Sequence, residues 1–436
     1  MNAELLKALM NTGDNSNLFQ EDLHPTIYNI LQQELPLWTF LGTEQAQGPI
    51  HQWRVRTALP AASMQGEIAD SDFRTATYTL KQTNLKIARS WGGVSSFMQA
   101  TTQRWLDALS ESISASVEGL ANLLEMQFLF GNDADVYQFD GLEANIMNDS
   151  VAKLAYASGG NIYDVNAAFS LTHLDAMIDR MKGYRGGDSD RHLILASRPM
   201  ISRISALQTR VTRDVAVVEF EGGFRMASYR GVGLWPCDIV TPAGTTTSPT
   251  VVATAAAGGA LADDEYFYAL ASVTLAGEQK AGVVDSATTA TTNNSVDLTW
   301  TADAAALQYK VYRGLTSTVA DMELLAVIPG KTYDSAGNVT GNLAAWSDEG
   351  GVTPLASVHP FEAGHEMLVG VNVSQNLRGN RILGAVSPLG DPMENFVSYV
   401  PLATINGSYR YMLETFLALK VPYPRTNFIV RRAKLA

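Results

Sequence analysis

The clearest pattern along the chain is a period-two alternation of apolar and polar residues between Ile50 and about Ser96. Such alternation is typical of β-strands, and here it predicts two long strands on either side of the small, polar segment Leu59–Asp70. The resulting hairpin has no apolar face with which to build a core, and an isolated two-stranded hairpin is at best marginally stable in water. We therefore expect this hairpin to lie against another surface.

Apolar residues spaced three and four apart predict a long helix from about Thr102 to Phe130, with Gly131 as its C-terminal stop. The apolar stripe of this helix consists of Leu106, Leu109, Ile113, Val117, Leu120 and Leu124. At 1.5 Å per residue the helix would be about 40 Å long, enough to form the backbone of a domain. Glu111, Glu118 and Glu125 fall outside the stripe, and we expect them to face solvent.

The next part of the chain alternates between helix and strand patterns. A helix is predicted from Thr172 to just before Gly183, then a strand over His192–Ala196, then a short helix that begins near Pro199. Residues 1–48, by contrast, contain only short apolar runs, which predicts an arm that lies on other structure. The chain as a whole is therefore predicted to be of the α+β class.

Around Val240 the composition changes abruptly to Thr, Ala, Gly and Ser, and it changes back near Gly351, which indicates an inserted module. Three alternating segments, Tyr266–Val273, Ser295–Trp300 and Gln308–Arg313, predict a small β-sandwich. Its expected core consists of Tyr266, Val296, Leu298, Trp300, Tyr309 and Val311. With 12 acidic and 4 basic residues between positions 241 and 350, the module is expected to face solvent and to project as a self-contained unit.

Charge and cysteine content exclude several classes of protein. The 436 residues include 31 basic and 44 acidic ones, a formal net charge of −13, which argues against affinity gained by neutralising phosphates. Cys237 is the only cysteine, so no intrachain disulfide can form and a reducing compartment suits the protein. The N-terminus lacks the pattern of a secretory signal, and the longest uncharged stretch, residues 239–262, is broken by Pro and Gly, so no membrane helix is expected.

The candidates for chemistry are weak. His359 and His365 lie close together in sequence, but Pro360 and Gly364 prevent the helix that would place both imidazoles on one face. Cys237 has no neighbouring His or basic residue and is expected to be a buried, inert thiol. The sequence also contains no glycine-rich phosphate loop and no nucleophile elbow. We therefore expect no enzymatic activity, no catalytic or metal site and no cofactor.

The order of elements is an arm, an unsupported hairpin, a long helix, a mixed α/β unit and final strands. This order resembles the major capsid proteins of tailed bacteriophages, the Hong Kong ninety-seven type fold. The segments that carry the resemblance are Thr83–Ser96, Phe130–Leu142, His192–Pro199, Tyr229–Cys237 and Glu414–Val430. The inserted module resembles fibronectin type III and immunoglobulin-like domains, although its Tyr266 strand comes first rather than late, so a permuted or analogous sandwich stays open.

The resemblance implies a division of the chain into named parts. They are an N-terminal arm at 1–48, an extended-loop hairpin at 49–96, a peripheral domain with the spine helix at 97–165, an axial domain at 166–240 and 353–390, the insertion at 241–352, and closing peripheral strands at 391–436. In such a protein the hairpin orders against a neighbouring subunit. Its expected assembly contacts are Arg54, Arg56, Gln65, Glu67, Asp70 and Arg74.

The function implied by the resemblance is that of a major capsid protein in the virion. It would self-assemble in the host cytoplasm into the hexamers and pentamers of an icosahedral or prolate phage head. No charged coiled-coil segment precedes the arm, so the expected partners are a separate scaffolding protein and a portal, with double-stranded DNA enclosed without sequence-specific binding and no membrane contact. The alternative is a phage tail or surface adhesin whose β-sandwich recognises a carbohydrate.

Overall fold

The structure, a computed structural model, is of the α+β class, and strands outnumber helices among the residues that it describes. It describes residues 35–64, 74–102, 107–183, 192–212, 217–219, 225–240, 243–373, 383–388, 397–405 and 407–435. Most of the predicted arm, residues 1–34, lies outside these ranges.

The longest described helix is the predicted spine, α3. The helices are α1 (Pro36–Phe40), α2 (Ser96–Thr102), α3 (Ala108–Phe130), α4 (Leu142–Asn148), α5 (Leu171–Lys182) and α6 (Arg198–Thr212). The side chain of Asp107 caps α3 by accepting hydrogen bonds from the amides of Leu109 and Ser110, and Gly131 ends the helix as predicted. Leu106, expected on its apolar stripe, lies outside the described residues.

Three predictions about the helices are wrong in detail. The spine helix, expected from about Thr102, begins at Ala108, and Thr102 is instead the last residue of α2. Glu125 does not face solvent: it is fully buried, because α1 covers it and the Leu37 amide donates a 2.9 Å hydrogen bond to its carboxylate. The helix expected to begin at Thr172 begins instead at Leu171, where Ser170 and His173 form a reciprocal capping box. The strand after this helix, His192–Ala196, is confirmed.

The first nine strands are β1 (Gly42–Gln45), β2 (Ile50–Ala58), β3 (Thr77–Asn84), β4 (Lys86–Ser95), β5 (Ile162–Ala168), β6 (His192–Ala196), β7 (Val217–Glu219), β8 (Arg225–Tyr229) and β9 (Val232–Pro236). The region predicted to hold two strands contains three, because the chain changes partners at Leu85. The Leu85 amide donates to the Pro49 carbonyl at 2.9 Å and closes the base of the β2–β3 hairpin. β4 then pairs with a different strand, in another sheet.

The strands of the inserted region are β10 (Ala243–Thr247), β11 (Val251–Ala256), β12 (Glu265–Thr274), β13 (Gly277–Lys280), β14 (Asp285–Thr288), β15 (Ser295–Trp300), β16 (Gln308–Gly314), β17 (Glu323–Pro329), β18 (Lys331–Tyr333), β19 (Val339–Asn342) and β20 (Ala345–Asp348). The final strands are β21 (His365–Asn372), β22 (Gly384–Ser387), β23 (Ser398–Ile405), β24 (Ser408–Lys420) and β25 (Phe428–Lys434).

Two sheets organise the chain outside the inserted region. In the first, β24 pairs antiparallel with β4, β22 and β23, and β22 pairs parallel with β1. In the second, the strand order is β5-β25-β21-β6-β9-β8-β7, and side chains of α5 and α6 pack with its strands in one buried cluster. The consecutive strands β24 and β25 therefore belong to different sheets.

The inserted region contains a six-stranded sheet, β10-β13-β12-β16-β17 with β14 beside β12, and a three-stranded sheet, β11-β15-β20. One buried cluster joins side chains of both sheets. The sequence-predicted core is confirmed, because Val296, Leu298, Trp300, Tyr309 and Val311 are buried in that cluster and Tyr266 packs against it.

The opposite face of the six-stranded sheet is also buried. Ala269, Ala271 and Tyr312 lie in the same apolar cluster as Phe128 of α3 and Ile429 of β25. The expectation that the inserted region is self-contained and faces solvent is therefore wrong for this sheet. The small alanines on the second face of β12 let the rest of the chain pack closely against it.

Candidate assembly surfaces

The β2–β3 hairpin, residues 50–84, is a ribbon without a core. Among its described residues, 50–64 and 74–84, none is buried. The two strands pair antiparallel from Ile50 opposite Asn84 to Ala58 opposite Thr77. A two-stranded ribbon of this kind cannot stabilise itself by burial, so its conformation depends on what it contacts.

One face of this ribbon, which we call the outer ribbon face, combines cations with large apolar side chains. Arg54 stands opposite Leu80, and Arg56 stands opposite Tyr78. Directly opposed residues of an antiparallel pair point to the same side of the sheet. Leu80 is 56% exposed and Tyr78 is 61% exposed, so this face presents unburied apolar surface flanked by guanidinium groups.

The structure describes three of the six predicted contact residues. Arg54 and Arg56 lie on the outer ribbon face, and Arg74 is exposed near the tip, where it donates a 3.1 Å hydrogen bond to the Ala61 carbonyl. Gln65, Glu67 and Asp70 lie outside the described residues. Sequence reasoning missed Tyr78 and Leu80, although the alternation from Thr77 onward already places both on the same side of β3 as each other.

The opposite side of the ribbon borders a groove. Lys81 and residues 55–59, which include Arg56 at the edge of the outer ribbon face, line it together with Tyr423 and the neighbouring residues of the Pro422–Thr426 segment, which follows β24. The groove has a volume of about 430 Å³. The middle of the ribbon thus borders the subunit's own chain, while Arg54, Tyr78 and Leu80 of the outer ribbon face do not line the groove.

A second exposed apolar surface is the open face of the β4–β24–β23 sheet. Trp91 of β4 is 65% exposed, and Ile87 of the same strand is exposed beside it. Arg89 lies between them and forms a salt bridge of 2.6 Å with Glu414 of β24. Across the ladder from Trp91 lies Met412, which is only half-buried.

The other face of this sheet is covered by α3. The Tyr411 hydroxyl lies 2.7 Å from the Ser112 hydroxyl and 2.8 Å from that of Ser116. Its ring lies over Gly92, where a Cβ atom would be 2.2 Å from the ring. The sheet therefore has one packed side and one open side, and the short helix α2, whose Phe97 is 77% exposed, continues directly from β4.

The residues considered for chemistry are part of the packed structure. The Nδ1 atom of His359 lies 2.8 Å from the Met322 carbonyl oxygen. Burial, with Lys434 and Arg432 nearby, lowers the pKa of His365 to about 4. Cys237 is buried, as predicted, and burial raises the pKa of its thiol. Within the described residues, no three or more His, Cys, Asp and Glu side chains are grouped to hold a metal ion.

None of the helices in the described part of the chain is long and apolar enough to cross a membrane.

Among solved structures, an encapsulin shares the overall fold of this chain. The holo-SrpI encapsulin complex of Synechococcus elongatus PCC 7942 superposes with a TM-score of 0.51 at 11% identity, covering 98% of this chain and 97% of that one. The capsid of cyanophage P-SCSP1u gives 0.49 at 10% identity over 100% and 99% of the two chains, and the capsid of a native GTA particle gives 0.48 at 8% over 97% and 98%. No curated protein sequence matches the chain.

The family follows from sequence rather than from these superpositions. The family model described as SU10 major capsid protein matches residues 8–231, slightly more than half of the 436 residues. The match includes the ribbon, the spine helix α3 and the start of the seven-stranded sheet, and it favours the capsid interpretation over the adhesin alternative. The chain belongs to the SU10 major capsid protein family.

Proposed function

We propose that this major capsid protein forms the hexamers and pentamers of an icosahedral or prolate double-stranded DNA phage head. The observation that carries the proposal is the ribbon, which has no buried residue among those described and yet presents Tyr78 and Leu80 on one face. Exposed apolar side chains on an element without a core are stabilised when a second surface covers them. A neighbouring copy of the chain supplies that surface.

The contact between copies is of the head-to-tail kind. The ribbon of one subunit and the surface that receives it are different parts of the same chain, and a heterologous contact of this type closes into rings when its rotation allows. We assign the receiving surface to the open face around Trp91, because its exposed apolar side chains can pack against those of the outer ribbon face and so remove both from water. Arg54 and Arg56, with the predicted tip residues Glu67, Asp70 and Arg74, then supply charge pairing at the rim of the contact, and Gln65 supplies a hydrogen-bonding amide.

The finer organisation is part of the same proposal. Residues 241–352 form an inserted domain of the immunoglobulin or fibronectin type III kind, supported by two sheets around one buried cluster. The division into arm, extended loop, peripheral domain and axial domain follows the boundaries given above, with three changes where the strand pairing crosses them: β4 and β22 join the sheet of β24, and β25 joins the seven-stranded sheet. Assembly takes place in the bacterial cytoplasm with a separate scaffolding protein and a portal. DNA is enclosed without sequence-specific contacts, as the net charge of −13 suits.

The proposal assigns no catalytic role to any residue. Full-length protein with His359, His365 or Cys237 replaced should assemble whenever it folds. An enzymatic activity that is lost on replacing one of them, with assembly intact, would contradict this part of the proposal.

The assembly role of the ribbon is tested by replacing one exposed leucine. Leu80→Ser should leave the subunit folded and reduce the yield of closed shells in electron micrographs, because it removes apolar surface from the outer ribbon face. Leu315→Ser is the matched control, since Leu315 of the inserted region is 62% exposed and lies outside the proposed contact. Equal shell yields from the two variants would refute the assignment of the contact to the ribbon.

A further inference from the structure

Four charged side chains are buried together where the inserted region meets the rest of the subunit. Glu143 of α4 and Arg431 of β25 come from outside the region, and Glu278 of β13 and Lys310 of β16 come from inside it. All four side chains are at most 4% exposed. They lie far apart in sequence, so only the folded chain brings them together.

The four groups alternate in sign around a closed cluster. Lys310 Nζ lies 2.6 Å from a carboxylate oxygen of Glu143 and 2.6 Å from one of Glu278. Arg431 lies 2.7 Å from the other Glu143 oxygen and 2.9 Å from the other Glu278 oxygen. The Tyr312 hydroxyl also donates to Glu278, at 2.7 Å. Every carboxylate oxygen of the cluster therefore has a charged partner.

Each side of the junction is neutral by itself, since each contributes one cation and one anion. What the junction adds is the cross-pairing of Lys310 with Glu143 and of Arg431 with Glu278. A shift of the inserted region that brought Lys310 beside Arg431, or Glu143 beside Glu278, would put like charges together without water, which is strongly unfavourable. The cluster therefore favours the observed position of the inserted region, relative to the rest of the subunit, over slightly shifted positions.

Two further contacts hold the same junction. The Gln308 side chain donates a 2.6 Å hydrogen bond to the Phe130 carbonyl at the end of the spine helix. The Tyr333 hydroxyl donates to Asp135 at 2.8 Å, in the loop that follows that helix. Together with the apolar packing of Ala269, Ala271 and Tyr312, these contacts make the junction as continuous as the interior of one domain.

We infer that the inserted region is one wall of the capsid subunit's own core, and that Glu143, Lys310, Glu278 and Arg431 fix its orientation. It is not a module that can swing on flexible links or unfold alone. Because α3 and β25 both touch it, the position of the inserted region is tied to that of the two main sheets.

Hydrogen exchange on unassembled full-length subunits tests the first half of the inference. Leu298→Ala opens a cavity in the inter-sheet cluster of the inserted region, and Leu298 belongs to no cluster with the main sheets. If the chain unfolds as one unit, amides of β6 and β25 lose protection by the same factor as those of β15, on the order of 100-fold. Loss of protection in β15 with unchanged protection in β6 and β25 would show that the inserted region unfolds alone and would overturn the inference.

A double-mutant cycle tests the second half. Amide protection factors are measured for Glu143→Gln, for Lys310→Met and for the double variant. The losses of protection should be strongly non-additive: the double variant should be at least about 10-fold more protected than the two single losses multiplied together predict. Additive effects would show that the cluster does not fix the orientation. Both measurements use subunits before assembly, so failure of the proposed shell contact would leave their outcomes unchanged.

Discussion

The ribbon and the inserted region both look like appendages in the sequence, and they behave in opposite ways in the structure. The ribbon has no buried side chain among its described residues, whereas the central strand β12 of the inserted region is buried on both faces. The difference lies in the second face of each strand. On β3 that face carries Tyr78 and Leu80 with nothing over them, and on β12 it carries Ala269 and Ala271 under the main core. An element is an appendage only if one of its faces lacks a partner within the chain.

The largest expected effect is at the buried charge cluster. Arg431→Met leaves the carboxylates of Glu143 and Glu278 with only Lys310 as a cation, so we expect the free energy of unfolding of the whole subunit to fall by about 3–5 kcal/mol. The matched control is Arg89→Met, which removes an ion pair at the open sheet face where Arg89 is 45% exposed. There we expect a loss of about 0–1 kcal/mol. Similar losses in urea titrations of the two variants would show that the buried cluster stabilises the subunit no more than an exposed ion pair does.

The second effect is a dependence on pH that originates in the inserted region. Burial alone would raise the pKa of Glu278, but Arg431 and Lys310 outweigh it and hold the pKa at about 2, below its ordinary 4.5. The stability gained from the ionised carboxylate is therefore present above about pH 4.5 and is lost as the pH falls towards 2.

The variant Glu278→Gln separates this contribution from that of other carboxyl groups. Its free energy of unfolding, measured by denaturant titration at several pH values, should fall less steeply below pH 4.5 than that of the wild type. Between about pH 4.5 and pH 2, the slopes of the two curves should differ by up to one proton taken up on unfolding. Parallel curves for the two proteins would show that Glu278 is not stabilised by its two cationic neighbours.

A smaller effect is expected inside the packed sheet, where β4 pairs with β24. Gly92→Ala puts a methyl group about where the Tyr411 ring lies, so the ring must move and give up its contacts with Ser112 and Ser116. We expect a loss of about 1–3 kcal/mol. Gly119→Ala in the spine helix is the control, because nothing lies within 4 Å of the added Cβ, and it should stabilise by up to about 1 kcal/mol. Thermal unfolding tests whether Gly92→Ala lowers the stability of the subunit and Gly119→Ala raises it.

Local sequence patterns were enough to predict much of the fold. The alternation in β2 and β3, the long run of α3 and the three central strands of the inserted region follow directly from spacing, because each depends on neighbours in sequence. Tertiary partners could not be predicted in the same way. Glu125 is polar and fell outside the apolar stripe, yet α1 buries it.

The junction of the inserted region was missed for a related reason. The alanines on the second face of β12 are too small to indicate a buried face in the sequence. In addition, the change in composition at both ends of the region indicated a module separate from the rest of the chain. The four charged residues of the cluster come from distant parts of the chain, so no spacing relates them. On the candidate contact surface, the sequence pointed to the charged residues of the ribbon, while the structure adds Tyr78, Leu80 and Trp91 as the exposed apolar side chains.

Hydrogen exchange measured on both free subunits and assembled shells tests the central contrast most directly. We expect amides of β2 and β3 to exchange rapidly in the free subunit and to become protected in the shell, while amides of β12, β15 and β16 are protected in both. Protection of the ribbon that is the same in the two states, or protection of the inserted strands that appears only on assembly, would contradict it.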